Sequence, residues 1–132
     1  MARVLGIGGI FFKSQDPAKL VGWYSEHFGL PTESDFGGIL FRWKTDQEPP
    51  TSQFTVWSAF PRDTSYFEPT TATYMINYIV DDLDGMLQQL RAADTQVDDK
   101  QEDTEYGRFG WATDPDGVRF ELWQPPIIAK GA

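Results

Sequence analysis

The sequence contains no cysteine and only one histidine, His27. Without thiols the chain has no disulfide, no zinc–thiolate or iron–sulfur site and no cysteine nucleophile. A single imidazole also excludes a metal site built from several histidines of one chain. Because His27 follows Trp23 by one turn of a predicted outer helix, we expect it to be a half-buried structural residue or a dimer contact.

Basic residues and long apolar runs are also scarce. The chain has 11 Lys and Arg against 20 Asp and Glu, a formal net charge of −9. Nucleic acids and anionic membranes attract positive charge, so we predict neither as a partner. No apolar run approaches the ~20 residues that span a bilayer. The start, Met1 to Val4, does not resemble a secretion signal, so we expect a cytoplasmic location.

The remaining pattern is that of one globular domain mixing strands and helices. The 132 residues, 40% of them hydrophobic, suffice for one core. Asp16 and Pro17 predict the start of a helix, and Gly29 predicts its end. The strands predicted in this half are 5–12, 32–34, 39–43 and 52–60.

The second half has the same order of elements. Asp82 is a predicted helix cap, and Leu83, Met86, Leu87 and Leu90 form the apolar stripe of the helix that follows. The segment DPDG at 114–117 predicts a tight turn. The strands predicted in this half are 73–80, 95–98, 109–113 and 118–124.

The two halves repeat at a constant spacing. FTVWSAF at 54–60 resembles FELWQPP at 120–126, and Phe120 follows Phe54 by 66 positions, just as Asp82 follows Asp16. This spacing indicates a duplicated βαβββ unit, with chance similarity of two strands as the alternative.

Three segments, WYSEHFGL, YIVDDLDGMLQQLRAA and DPDGVRFELW, resemble the vicinal oxygen chelate superfamily. That group includes glyoxalase I, extradiol dioxygenases, and bleomycin and fosfomycin resistance proteins. The resemblance implies one α+β domain over 1–132, with βαβββ modules at about 4–60 and 72–126 and a connector at 61–71. The modules would form a cupped, eight-stranded mixed sheet with helices outside and a cavity inside. It also implies a homodimer.

Metal-dependent members of that superfamily take ligands from the first and last strands of each module. The positions implied here are Gly9, Thr55, Met75 and Glu121. Only Glu121 is a typical metal ligand, since glycine, threonine and methionine replace neither an imidazole nor a carboxylate. We therefore expect no tightly bound metal, no other cofactor and no glyoxalase I activity.

The resemblance implies that Glu121 lies on the cavity face of the last strand, and strand alternation then assigns the faces of the other positions. Glu121 and Trp123 are predicted to face the cavity, and Arg108 is predicted at its mouth as an anion contact, with Arg62 and Tyr66 on the rim. The other residues predicted to face the cavity are Phe11, Lys13, Trp57 and Asn77. The residues predicted to face the helices are Ile10, Phe12, Phe54, Val56, Ile76, Tyr78, Phe120 and Leu122.

Two functions remain open. One is a metal-independent binding protein in which Trp57 and Trp123 enclose a flat organic molecule beside Phe11, Asn77 and Arg108; in the alternative, the tryptophans are core residues. The other is an enzyme, a lyase, isomerase or dioxygenase relative. There Glu121 would act as general acid or base, or as a metal ligand, because burial among tryptophans raises a carboxyl pKa. The alternative to a chemical role is that Glu121 is a structural residue, paired with a nearby Arg or Lys.

Overall fold

The computed structural model describes residues 1–30, 38–42 and 54–126. Its elements follow the predicted order, while the strand predicted at 32–34 and the predicted strand ends at 43 and 52–53 lie outside the described residues. The elements are β1 (Val4–Ser14), α1 (Pro17–Phe28), β2 (Ile39–Arg42), β3 (Phe54–Pro61), β4 (Tyr74–Val80), α2 (Leu83–Ala92), β5 (Gln96–Thr104), β6 (Gly107–Thr113) and β7 (Arg119–Gln124).

The seven described strands form one open mixed sheet in the order β2-β3-β1-β4-β7-β6-β5. β1 runs antiparallel to β4, with Gly9 opposite Asn77 and Phe11 opposite Met75. β1 pairs with β3, and β4 with β7, in parallel. The α+β class is confirmed, whereas the eighth strand and the division into modules stay predictions.

The register of β3 differs from the predicted 66-residue spacing. Phe11 lies opposite Ser58, and its counterpart in the second half, Asn77, lies opposite Glu121. The counterpart of Glu121 is therefore Ser58, three positions beyond the predicted Thr55. Because successive side chains of a strand point to opposite faces, this odd shift reverses the faces predicted for β3.

Both helices begin where local sequence predicts, and α1 also ends at the predicted residue. The Asp16 carboxylate accepts a hydrogen bond from the Lys19 amide at 3.1 Å, and Gly29 ends α1 with a left-handed φ of 69°. The Asp82 carboxylate accepts from the Gly85 amide at 3.1 Å at the start of α2. Neither helix of the described chain has the length and apolar character needed to cross a bilayer.

The sheet separates two clusters of buried apolar side chains. On the helix side, Leu122 of β7 packs with Leu83 and Leu87 of α2. On the opposite side, which is the inner face, Phe67 packs on the sheet with no exposed surface. The connector therefore folds back over part of the inner face and contributes to the core there.

Candidate functional site

A cavity of about 480 Å³ opens on the inner face of the sheet. Its polar lining side chains are Arg42, Asn77, Glu121 and Tyr106. The apolar lining is Phe11, Leu40, Phe54, Val56, Phe109 and Trp123. A mostly apolar cavity with a few polar groups is the usual form of a small-molecule site.

Glu121 lies at this cavity with only 3% of its surface exposed, and three donors hold its carboxylate. The Asn77 side-chain amide donates to Oε1 at 2.5 Å. The Trp111 indole N–H donates to Oε2 at 2.9 Å, and the Tyr66 hydroxyl donates to the same oxygen. The donors come from β4, β6 and the connector, so three separate parts of the fold fix this carboxyl group.

Burial raises the pKa of Glu121 above its ordinary value of 4.5, and the hydrogen bonds from Tyr66, Asn77 and Trp111 and the charge of Arg119 only partly offset that effect. Burial and the neighbouring Glu121 charge raise the pKa of the Tyr66 hydroxyl as well. Tyr66 therefore stays a neutral donor, while Glu121 is the group of the pair that can exchange a proton.

Asn77 gives the cavity a second polar atom, which has no partner among the described residues. The residue is 2% exposed, and its Oδ1 accepts no hydrogen bond from the described part of the chain. A Cβ atom at Gly8 would lie 2.3 Å from this oxygen, so a side chain there would displace it. A buried acceptor beside a cavity can be satisfied by a donor on a bound molecule.

Arg119 connects β7 to the residues that hold Glu121. Its Nη2 pairs with Asp98 at 2.9 Å, and its Nη1 donates to the Tyr66 carbonyl. Its guanidinium also lies 5.2 Å from the Trp111 ring centroid. Glu121 itself makes no ion pair within 4.0 Å in the described residues, but the charge of Arg119 favours its ionised form and lowers its pKa.

Four of the predicted site residues meet at the cavity: Phe11, Asn77, Glu121 and Trp123. The prediction that Glu121 and Trp123 face a cavity while Phe120 and Leu122 face a helix is confirmed. The chemical roles assigned to these residues are still predictions.

The predicted position of Trp57 is wrong. Its ring lies on the helix side, 5.0 Å from the Tyr24 ring of α1 and 4.8 Å from the Phe12 ring. The reversed face of β3 explains this, and it places Phe54 and Val56, predicted to face a helix, in the cavity lining instead. Trp57 belongs to the packing of α1 on the sheet.

The predicted position of Arg108 at the cavity mouth is also wrong. Its guanidinium pairs with Asp84 of α2 at 2.8 Å and with Asp103 of β5 at 3.2 Å. Its neighbour Phe109 lines the cavity, so alternation directs Arg108 to the helix side. Of the predicted rim residues, Tyr66 reaches Glu121, whereas Arg62 is exposed and does not line the cavity.

Several residues at the site were not predicted from sequence, among them Arg42, Phe109 and Trp111. Phe109 and Trp111 share a face of the predicted strand at 109–113, beside the strand of Glu121, and alternation was a signal for them. No sequence signal pointed to Arg42. Its strand, β2, lies beside β3 at the edge of the sheet, and that neighbour is known only from the sheet order.

The four ligand positions implied by the resemblance do not converge as a metal site. The Thr55 hydroxyl donates to the Ile7 carbonyl at 2.6 Å, and Met75 is fully buried in the inner core. Gly9 has no side chain, and both oxygens of Glu121 already accept hydrogen bonds. Within 1–30, 38–42 and 54–126 no three His, Asp or Glu side chains gather, so these residues do not fit a metal.

Comparisons with solved structures give the same fold. Methylmalonyl-CoA epimerase from Mycobacterium tuberculosis is 20% identical with a TM-score of 0.60, over 94% of this chain and 90% of the other. A variant of Streptomyces coelicolor methylmalonyl-CoA epimerase in complex with 2-nitronate-propionyl-CoA is 15% identical with a TM-score of 0.67, over 95% and 100%. A glyoxalase/bleomycin resistance protein/dioxygenase superfamily member from Vibrio splendidus 12B01 is 15% identical with a TM-score of 0.54, over 94% and 99%. At these identities the likeness shows the fold alone.

The sequence comparisons agree with the fold. A search of curated proteins found no match. The model of one family matches residues 6–122, which is most of the chain and includes Glu121. The protein therefore belongs to the Glyoxalase/Bleomycin resistance protein/Dioxygenase superfamily.

Proposed function

We propose that the protein binds a small organic molecule in the inner cavity, without a catalytic metal. The observation that carries this proposal is the buried pair Glu121 and Asn77 on the floor of an otherwise apolar cavity of about 480 Å³. Burying polar groups costs free energy, which a bound molecule with matching groups can recover. The cavity volume is within the range of sites for drug-sized molecules.

The walls favour a flat, apolar body for this molecule. The rings of Phe109 and Trp123 are stacked with centroids 5.9 Å apart and planes 5° from parallel. The Phe54 ring meets Trp123 edge-on at 5.3 Å. Together they form a continuous aromatic surface, defined here as the aromatic wall, and flat rings bind well to such surfaces. Phe54 and Phe109 thus replace Trp57 as the proposed partners of Trp123.

The floor favours a hydrogen-bond donor on the molecule. The free Oδ1 of Asn77 accepts only, and Glu121 in its ionised form also accepts. The Asn77 oxygen has almost no accessible surface, so a hydroxyl, amine or amide N–H directed at the floor would satisfy it once the Asn77 side chain turns toward the cavity.

Indole N–H signals in ¹⁵N NMR spectra test the proposal. A screen of flat aromatic fragments should move the signals of Trp123, which lines the cavity, and Trp111, which donates to Glu121. The signals of Trp23 and Trp57 should stay, because both lie with α1 on the other side of the sheet.

Two valine-to-tryptophan variants form the control. Val56→Trp places a large ring in the cavity and should abolish the shifts, while Val4→Trp adds the same ring at an exposed position and should leave them. Shifts that survive Val56→Trp, or that appear only at Trp23 and Trp57, would place the binding site elsewhere and overturn the proposal.

A second candidate is an enzyme that moves a proton with Glu121. The raised pKa of this carboxyl group beside a cavity supports it, since a general base works best when its pKa is close to the working pH. In the simplest step, ionised Glu121 accepts a proton from an acidic C–H of the bound molecule and later returns it. In D₂O the molecule would then exchange that hydrogen for deuterium.

Glu121→Gln tests this candidate. The substituted amide can still accept from Tyr66 and Trp111 through its oxygen, and it can donate to Asn77 once the Asn77 amide turns over. Its shape is preserved and only the base is removed. Loss of exchange with binding retained would support the enzyme, and exchange that persists in Glu121→Gln would exclude Glu121 as the base.

A further inference from the structure

We propose that the bound molecule is an anion, specifically a flat organic carboxylate whose carboxylate group pairs with Arg42. This inference rests on the proposed function and adds the charge and the orientation of the ligand. It depends on the position of Arg42, which the sequence pattern did not assign.

Arg42 ends β2 directly opposite Phe54 of β3, and both side chains line the cavity. Its guanidinium lies 5.8 Å from the centroid of the Phe54 ring. Stacking on an aromatic face keeps the donor edge of an arginine free for a planar partner. The aromatic wall therefore holds a cation at one end of the cavity.

Arg42 has no acidic partner within 4.0 Å among residues 1–30, 38–42 and 54–126. By contrast, Arg108 pairs with two aspartates and Arg119 with one. Arg42 is exposed, and Arg3, Arg62 and Arg91 also lack an acidic partner in these ranges, but of these four only Arg42 lines the cavity. Its guanidinium fork can bind a carboxylate through two parallel hydrogen bonds.

The two ends of the cavity differ in charge. Glu121 and the free Asn77 oxygen form the floor, and both repel or fail to bind an anionic group. Arg42 is the lining cation in the described residues. A carboxylate is thus directed to Arg42, the flat body lies along the aromatic wall, and a donor group faces the floor.

The test compares two probes of the same shape, 2-naphthoate and 2-naphthamide, which differ in charge. Calorimetric titration of the unmodified protein should show naphthoate binding about tenfold more tightly than naphthamide, as a charge-assisted pair predicts. Arg42→Gln should remove that preference by weakening naphthoate alone. Arg42→Lys, which keeps the charge without the fork, should keep part of it.

Arg91→Gln is the matched control, because Arg91 is an exposed residue of α2 and the substitution changes net charge equally. It should leave the preference intact. Thermal unfolding of each variant checks that the fold is retained.

If both probes bind equally well, and Arg42→Gln changes neither affinity, the proposal that the ligand is an anion is overturned. A shift of the Trp123 indole signal would still show binding in the cavity in that case. If neither probe shifts the Trp123 signal and no fragment of the screen does, the proposed function itself is overturned, and this inference with it.

Discussion

Glu121 is the residue at which opposing effects on ionisation meet. Burial disfavours the charged carboxylate, while three donors and the charge of Arg119 favour it, and burial has the larger effect on the pKa. The family resemblance implied its inward direction, and alternation along 118–124 extended that prediction to Trp123. Its donor Tyr66 was predicted only as a rim residue, because the contact between positions 66 and 121 depends on the connector folding back.

The raised pKa of Glu121 links its protonation to stability. The folded state holds this proton more tightly than the unfolded chain, so the resulting stabilisation is complete below about pH 4.5 and is lost as pH rises through the folded-state pKa. Glu121→Gln cannot lose a proton. Its free energy of unfolding, relative to the unmodified protein, should therefore increase from pH 4.5 towards neutral pH in urea titrations.

Glu105→Gln removes the same charge from an exposed position and corrects for the change in net charge. A relative stability of Glu121→Gln that falls with pH over this interval would show that the pKa is lowered instead.

Tyr66 supplies one of the donors to Glu121, and its removal should be costly. Tyr66→Phe leaves a buried carboxylate oxygen with one donor fewer, which we expect to destabilise the fold by about 1.5–3 kcal/mol and to raise the Glu121 pKa further. Tyr106→Phe is the control, since Tyr106 is 62% exposed and should change stability by no more than about 0.5 kcal/mol. Equal effects in chemical denaturation would contradict the assigned contact.

At the scale of elements, local sequence signals predicted helix ends but not the pairing of the strands. Asp16, Gly29 and Asp82 define helix ends through contacts within a few residues, so sequence alone reveals them. The register of β3 against β1 is not local. The similarity of 54–60 to 120–126 suggested a spacing that the sheet does not keep, and a shift of three residues exchanged the faces of Trp57 and Val56.

The close packing of β1 against β4 at Gly8 can be tested by substitution. A Cβ atom at Gly8 would lie 2.3 Å from Asn77 Oδ1 and 2.8 Å from atoms of Ile79 and Trp123. We expect Gly8→Ala to destabilise the fold by about 1–3 kcal/mol through overpacking. It should also displace the Asn77 side chain and so weaken fragment binding.

Gly22→Ala provides the comparison, because Gly22 lies within α1 with no atom near its added Cβ. That substitution should stabilise the protein by about 0.5–1 kcal/mol, since alanine favours helix. Denaturation midpoints measure both effects, and a neutral Gly8→Ala would show that β1 and β4 are less closely packed there.

At the scale of the whole molecule, the outer face of the central strands is only partly covered. α1 packs on β1 and β3, and α2 packs on β5, β6 and β7. Between them, Ile7 and Ile10 of β1 are 41% and 40% exposed. Apolar side chains in the middle of a sheet are usually covered by other residues. In the predicted homodimer, a second copy of the chain would cover this outer face.

Light scattering tests this association. A dimer has about twice the 15.0 kDa chain mass at micromolar concentration, and Ile10→Glu should shift it to monomer by placing a charge in the contact. Lys19→Glu, at an exposed position of α1, should leave the mass unchanged. A 15.0 kDa particle from the unmodified protein would contradict the dimer.

The most direct test of the central claim is a crystal structure of the protein with the tightest-binding fragment of the screen. We expect the fragment on the inner face of the sheet, flat against Phe54 and Trp123, with a donor group within hydrogen-bond distance of Asn77 Oδ1. A fragment bound on the helix side, or an inner face in which Glu121 and Asn77 are sealed from any cavity, would contradict the account.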